Sequence, residues 1–334
     1  MDGERLVKLP KQTIKRHHAQ FDMIEAAIYK ELLNDLKFEL KAFKLSHRFQ
    51  EVLSTITRLI QCSCDPRLLF AKQSRTIGHQ DKKPKLGKAK TSEKVATLMR
   101  DAQPVSTKVR MLMRILDQRL AENPNMKFIV FAEFTGFLKI IKKHLEAVGL
   151  TIGLYDGSIA SVDNREKTID YWRTNQQGLC MTTGSGGEGL TLNEAEDIFI
   201  MNISWNPKKD QQAYDRNYRI GQNKEVTVHI ILIPYLPDHR PDRPSIGIDT
   251  VIVKKQQQKL KWAAASAARS FTDEGDIDVE GFAMGARDVA EMLGESDDEL
   301  PDDDLGLIDS LEELSDESME AGGEDLEKMD LDDE

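Results

Sequence analysis

The chain has 334 residues, 40% of them hydrophobic, so it can bury one large or two ordinary cores and is not disordered throughout. No run of 18 apolar residues occurs, and Met1 is followed by Asp2, Gly3 and Glu4, so neither a membrane span nor a secretory leader is expected; Cys62, Cys64 and Cys180 are too few for a zinc site, odd for a disulfide framework, and read as buried thiols. The net charge of −11 is unevenly spread: residues 296 to 334 hold 19 Asp and Glu against Lys328 alone, which puts −18 on that tail and +7 on a body suited to a polyanion.

In chain order, residues 1 to 70 are expected to be helical. Residues 21 to 60 lack Gly and Pro, and Ile24, Ile28, Leu32 and Leu36 recur at helical spacing, which predicts two helices. From 71 to 105 the chain is basic and polar and reads as an exposed linker or surface insertion. The segment 106 to 233 alternates between the two periods. Helices are predicted at 107 to 121, 135 to 148, 161 to 175 and 208 to 220, and strands at 128 to 132, 151 to 155, 178 to 182, 197 to 201 and 226 to 233. Apolar strands without polar alternation, separated by amphipathic helices, predict an α/β fold with a parallel sheet covered on both faces. The proline-rich stretch within 234 to 247 reads as a loop insertion, 248 to 271 as a closing helix, and 272 to 334 as a disordered acidic tail. Within that tail DDDLGLIDSLEEL (302 to 314) spaces Leu305, Ile308 and Leu311 at three-residue intervals, so it is expected either to solubilise the chain, to dock a basic protein such as a histone, or to mimic DNA against the chain's own body.

Function in open parallel sheets gathers at the carboxyl ends of the strands. The polar signals fall there: Glu133 after the first predicted strand, DGS (156 to 158) after the second, TGSGGEGL (183 to 190) after the third and NISWNP (202 to 207) after the fourth. The glycine-dense stretch lets backbone amides approach a phosphate. It is no P-loop, since neither the lysine nor the hydroxyl of that motif follows, and the one Gly-Lys of the chain, Gly87-Lys88, precedes Ala89 in the basic linker. No acidic pair follows an apolar strand to hold magnesium, and no metal site is expected in this chain. In QAYDRNYRIGQ (212 to 222), Gln212, Arg216 and Arg219 fall on one face of a helix, where the two arginines read either as cations aimed at a phosphate or as a salt-bridge ladder with Asp210 and Asp215.

Taken together, FAEF with the DGS turn, TTGSGGEGL with SWNP behind it, and QAYDRNYRIGQ resemble successive motifs of the second RecA-like lobe of Swi/Snf-type chromatin-remodelling ATPases, within helicase superfamily two. RLIQCSCDPRLLF (58 to 70) resembles the segment leading into that lobe, and LPKQT (9 to 13) the start of the family's helical protrusion. The resemblance covers roughly residues 5 to 270. It implies a RecA-like fold preceded by a helical protrusion, and ATP with Mg2+ bound mainly by a first lobe that this sequence lacks. Arg216 and Arg219 would then be the catalytic arginine fingers, with Gln212, Gly187, Glu188 and Gly189 at the nucleotide. Thr182, Thr183, Gly184, Ser185, Gly186, Ser158 and Trp205 would touch DNA. Double-stranded DNA, a first ATPase lobe and, through the tail, histones or other basic proteins are the implied partners, and the nucleus the implied location. Three positions depart from the pattern: Asn202 stands for an expected Asp, Glu133 for a usual Gln, and Glu188 for an apolar residue. Two functions follow, half of a DNA-translocating ATPase in remodelling or repair, or a non-catalytic DNA- and histone-binding module derived from one. The three polar side chains of QAYDRNYRIGQ favour the first, because a module freed from ATP has no use for fingers.

Overall fold

The computed structural model describes residues 10–46, 49–70, 89–99, 105–157, 159, 162–184, 190–237 and 245–269. In chain order the elements are β1 (Gln12–His18), α1 (Met23–Ser46), α2 (Phe49–Cys64), a 3-10 turn (Pro66–Phe70), α3 (Ala89–Leu98), α4 (Thr107–Glu122), β2 (Lys127–Ala132), α5 (Thr135–Ala147), β3 (Ile152–Tyr155), α6 (Val162–Asn175), β4 (Gly178–Thr182), β5 (Ala195–Ile200), α7 (Pro207–Asp215), β6 (Val226–Leu232) and α8 (Ile248–Arg269). The six strands form one parallel sheet in the order β1-β6-β5-β2-β4-β3, the RecA-like arrangement that the resemblance implies.

Alternation along the strands divides the core between the two faces. Phe128, Val130 and Ala132 of β2, with Cys180 and Phe199, pack with α4 and α5 through Val109, Leu112, Phe137 and Ile141. Ile129 and Phe131, with Met181, Ile198 and Ile200, pack with α1, α2, α6 and α8 through Leu32, Leu59, Trp172 and Val251. Helices therefore cover both faces. Phe128, Phe131, Phe137, Phe199 and Trp172 are fully buried, each stabilising the fold by roughly 1.5–3 kcal/mol or more relative to exposure. The three cysteines are free and buried, and burial pushes their thiols up, to about 12 for Cys64 and Cys180, which leaves them unreactive.

The amino-terminal region departs from its expectation. LPKQT leads not into a helix but into an edge strand, Gln12–His18, lying parallel to β6, and the two expected helices follow it. The helices after it share the core of the sheet. Asp22 caps α1, accepting from the amides of Ile24 (3.0 Å) and Glu25 (2.8 Å). Glu25 in turn accepts from the amide of Thr107 at 2.9 Å and so caps α4, while Tyr29 Oη accepts from the amide of Ile248 at the start of α8. Within the stretch expected to be a linker, Ala89–Leu98 forms a helix with Val95 fully buried, and the helix expected to run to residue 220 ends at Asp215. The basic segment 71–88, residues 238–244 of the loop insertion and the acidic tail lie outside the described residues.

Candidate functional site

The carboxyl ends of the central strands are tied to one another by their own loops. Thr183 donates its amide to Ala132 O at 3.2 Å and Met201 its amide to Phe131 O at 2.9 Å. Glu133 donates its amide to Asn202 Oδ1 at 2.9 Å, and Asn202 Nδ2 donates to Glu133 Oε2 at 3.3 Å. Two of the three positions that depart from the resembled pattern, 69 residues apart, are thus partners, and carboxylate and amide have exchanged places between them. A Gln with an Asp would make the same pair with the charge on the other strand. The Glu133 carboxyl is pushed up by the protein crowding it, against Lys209 and the Asn202 hydrogen bond, although water still reaches the side chain.

SWNP is the start of α7. Asn206 is the N-cap, its side chain accepting from Lys208 N at 3.0 Å, and Pro207 takes the first helical position, where its missing N–H costs nothing. Asp210 then turns inward. Its carboxylate accepts from the Ser204 amide (3.1 and 3.2 Å), from Ser204 Oγ (3.0 Å) and from Gln256 Nε2 of α8 (2.9 Å). The same Gln256 nitrogen donates to Ser204 O at 2.6 Å, so α8 holds both the loop and the first turn of α7. Asp210 is therefore no rung of a ladder with the arginines.

Burial raises the Asp210 carboxyl to about 6, against the opposing hydrogen bonds from Gln256 and Ser204. The folded state then takes up a proton more readily than the unfolded chain. The resulting stability is fully present below pH ~4 and is lost as pH rises through 6, by at most ~3 kcal/mol. Asp210→Asn removes this titration. The stability of the wild type relative to the variant, from urea melts, should increase between pH 7 and pH 4; a difference that is flat across that range contradicts the assignment.

Beyond α7 the chain makes a compact turn that carries the two arginines. Arg216 is the C-cap residue, and its carbonyl accepts from the amide of Leu192 at 3.1 Å. Asn217 donates to Ala195 O at 2.9 Å, and Gln222 Nε2 to Asn217 O at 3.1 Å, both side chains being buried. Gly221 has φ +101, a conformation that L residues rarely adopt, and a Cβ there would stand 2.9 Å from Asn193 Nδ2. RIGQ is thus a locked turn. Asn217 and Gln222, which hold it, were not singled out from sequence, and their signal there was only their place within the motif.

Arg216 is 7% exposed, and its Nη1 is buried without a hydrogen-bond partner among the described residues. Desolvation lowers its pKa; Tyr155 at the end of β3 opposes this and Arg219 adds to it. Such an orphan guanidinium nitrogen costs ~1–3 kcal/mol or more, so the turn keeps a cation poised for an anion at a standing cost. Arg219 is exposed close by. Gln212 is exposed on α7, and only it of the three lies inside the helix, so the common helical face read from the spacing is replaced by helix, cap and turn. Thr182 and Thr183 are half-buried and Gly184 exposed at the end of β4. Trp205 is half-buried and packs on the core. Ser158, Ser185, Gly186, Gly187, Glu188 and Gly189 lie outside the described residues. Among the described residues no group of three or more His, Cys, Asp or Glu could hold a metal ion.

Residues 107–221 match the family described as "Helicase conserved C-terminal domain". The chain is 35% identical over 173 residues to the helicase-like transcription factor of Homo sapiens, covering 51% of this chain and 16% of that protein. It is 36% identical over 125 residues to the DNA repair protein RAD5 of Cryptococcus neoformans, covering 37% and 10% respectively. The chain therefore spans a sixth or less of the length of these two relatives. Its fold is similar to that of the Sulfolobus solfataricus SWI2/SNF2 ATPase core in complex with dsDNA, with a TM-score of 0.51 at 22% identity over 67% of this chain and 42% of that one.

Proposed function

Because this chain carries the helicase C-terminal domain of the Swi/Snf-type ATPases, we propose that it is the second lobe of an ATP-driven translocase on double-stranded DNA, acting in chromatin remodelling or DNA repair in the nucleus. The observation that carries this reading is the buried Nη1 of Arg216, without a partner among the described residues, beside exposed Arg219 on a turn locked by Asn217 and Gln222. ATP bound with Mg2+ on a first lobe supplies the phosphoryl group and its charge. The fork of Arg216 fits a phosphate oxygen, and its position is fixed before any ligand arrives, so little reorganisation is needed when charge develops. Arg219 adds a second cation and Gln212 a neutral donor at the same cleft. Thr182, Thr183 and Gly184, at the exit of β4, offer hydroxyls and an amide to a DNA backbone. No helix among the described residues is long and apolar enough to cross a membrane.

The chain alone should show no DNA-stimulated ATP hydrolysis, because fingers accelerate a reaction only where a phosphate and metal site is already assembled. Turnover by the chain alone that disappears in Arg219→Ala would overturn this. Duplex binding should be weak, independent of sequence and strongly salt-dependent, since neither a +7 body nor backbone amides read base edges. Discrimination between unrelated duplexes of more than about tenfold at ~0.1 M salt contradicts it. Duplex binding that survives without any rescue of ATPase activity by a first lobe would instead select the non-catalytic module.

A further inference from the structure

The two edges of the sheet are treated differently. At the β3 edge, Thr151 O accepts from the amide of Gly178, so residues 151, 153 and 155 face β4 and the groups of Ile152 and Leu154 face outward. That strand has four residues, and Lys142 Nζ donates to the outward carbonyl of Ile152. A strand this short, with one outward carbonyl already occupied by a lysine from α5, offers little to further pairing. The β1 edge is longer, seven residues or roughly 23 Å. Lys11 O accepts from Val226 N at 3.1 Å, and Ala19 N donates to Leu232 O at 2.8 Å, so the odd-numbered residues serve the ladder to β6. The N–H and C=O groups of Gln12, Ile14, Arg16 and His18 therefore face outward, and among the described residues they have no strand beside them.

This edge is also the most basic strand among the described residues. Lys11, Lys15 and Arg16 are exposed and have no carboxylate partner among the described residues, and His17 is depressed by burial first and then by the charges of His229, Lys15 and Arg114 of α4. By contrast Lys94, Arg110, Arg119, Lys142, Arg173 and Lys224 are all ion-paired. Between the cations lies Ile14, 45% exposed. From the inner side β1 is held firmly: His17 Nε2 and His229 Nδ1 are 2.9 Å apart, and His229 stacks on Phe199 while facing Asp197, which Arg119 holds at 2.7 Å. A rigid edge with outward donors and acceptors, a single apolar side chain and unpaired cations fits an extended acidic polypeptide that carries apolar residues. Phosphate oxygens could satisfy the cations but would leave the outward carbonyls unpaired, and a second basic β1 would be repelled.

We propose that the acidic segment 302–314 of this same chain is the ligand of the β1 edge. DDDLGLIDSLEEL brings six carboxylates and no cation, with Leu305, Leu307 and Ile308 available to Ile14. The 33 residues from Arg269 to Asp302 have a contour of roughly 110 Å, against a diameter of roughly 45 Å for a body of this size, so the segment reaches any point on the sheet. Covalent attachment supplies a high effective concentration without a tight intrinsic contact. This inference does not depend on the ATPase reading.

The test is amide hydrogen exchange, resolved to single residues, on the full chain. Ile14, Arg16 and His18 should exchange at least about tenfold more slowly than in a full-length variant with Asp302, Asp303, Asp304, Asp309, Glu312 and Glu313 all replaced by Asn or Gln. The odd-numbered ladder amides should be unchanged. Ile14→Pro deletes one outward N–H and no ladder bond, so it should abolish protection of Arg16 while shifting Tm little. Should that variant fold poorly, Lys15→Glu with Arg16→Glu is the substitute and should abolish protection at His18. A free peptide of residues 302–314 should restore protection to the carboxylate-neutralised variant. Equal exchange in the full chain and that variant overturns the proposal, as does protection that rises with protein concentration, which marks a second copy. Peptide binding that survives Ile14→Pro but not the charge reversal also overturns it, because the contact is then side-chain charge alone.

Discussion

Joined to a first ATPase lobe of the same type, this chain should hydrolyse ATP, and Arg216→Ala or Arg219→Ala should each lower kcat by ~10³ or more. The two variants should differ in what they do to the fold. Arg219 is exposed, so its removal should leave Tm unchanged. Arg216 is buried with Nη1 unsatisfied, so its removal ends a desolvation cost of ~1–3 kcal/mol while losing the packing of its stem. Its Tm should stay within a few degrees of the wild type, or rise. Arg216→Lys keeps a cation but not the planar fork, and should remain slow. Loss of folding in either alanine variant would mean that the arginines hold the turn together, and the finger reading would fail.

Most of the sheet was legible because buried parallel strands are written as short apolar runs, and FIVFA, GLCMT and DIFIM stand out against polar surroundings. The edge strand was not. In QTIKRHH only Ile14 is apolar, and a strand that buries little and pairs on one side leaves no periodicity to detect. The helix expected to run to residue 220 was overextended for a related reason: Asn217 and Gln222 are polar residues that turn inward to bind Ala195 O and the turn's own backbone, which a hydrophobicity pattern reads as surface. The site was legible as motifs and illegible as partnerships. Glu133 and Asn202 each looked like a loss from the family pattern. Only the meeting of β2 and β5 at their carboxyl ends shows that each supplies what the other lacks.

The largest stability effect is expected from a pair that carries no motif at all. Lys108 on α4 is fully buried, and its ammonium lies 2.8 Å from Asp249 Oδ2 of α8 and donates to Met201 O at 3.1 Å. Asp249 also accepts from the amide of Ile233 at 2.7 Å and faces Ser63 Oγ at 3.4 Å. One ion pair thus joins α2, α4, α8 and the exits of β5 and β6, next to Asn202. Lys108→Met fits the volume but leaves the Asp249 carboxylate buried without its cation, and should cost ~3–5 kcal/mol, a fall in Tm of roughly 10 °C or more for a body of this size. Replacing both partners, Lys108→Met with Asp249→Leu, removes both charges but orphans the Ile233 amide. The double variant should therefore fall short of the sum of the single losses by at least ~1 kcal/mol in urea melts without regaining wild-type stability. Strict additivity would show that the two charges act independently. Because Met201 precedes Asn202, Lys108→Met should also weaken the Glu133 to Asn202 pair, seen as faster exchange of the Glu133 amide under conditions where the variant is still folded. Unchanged exchange there would confine the ion pair to global stability and separate it from the site.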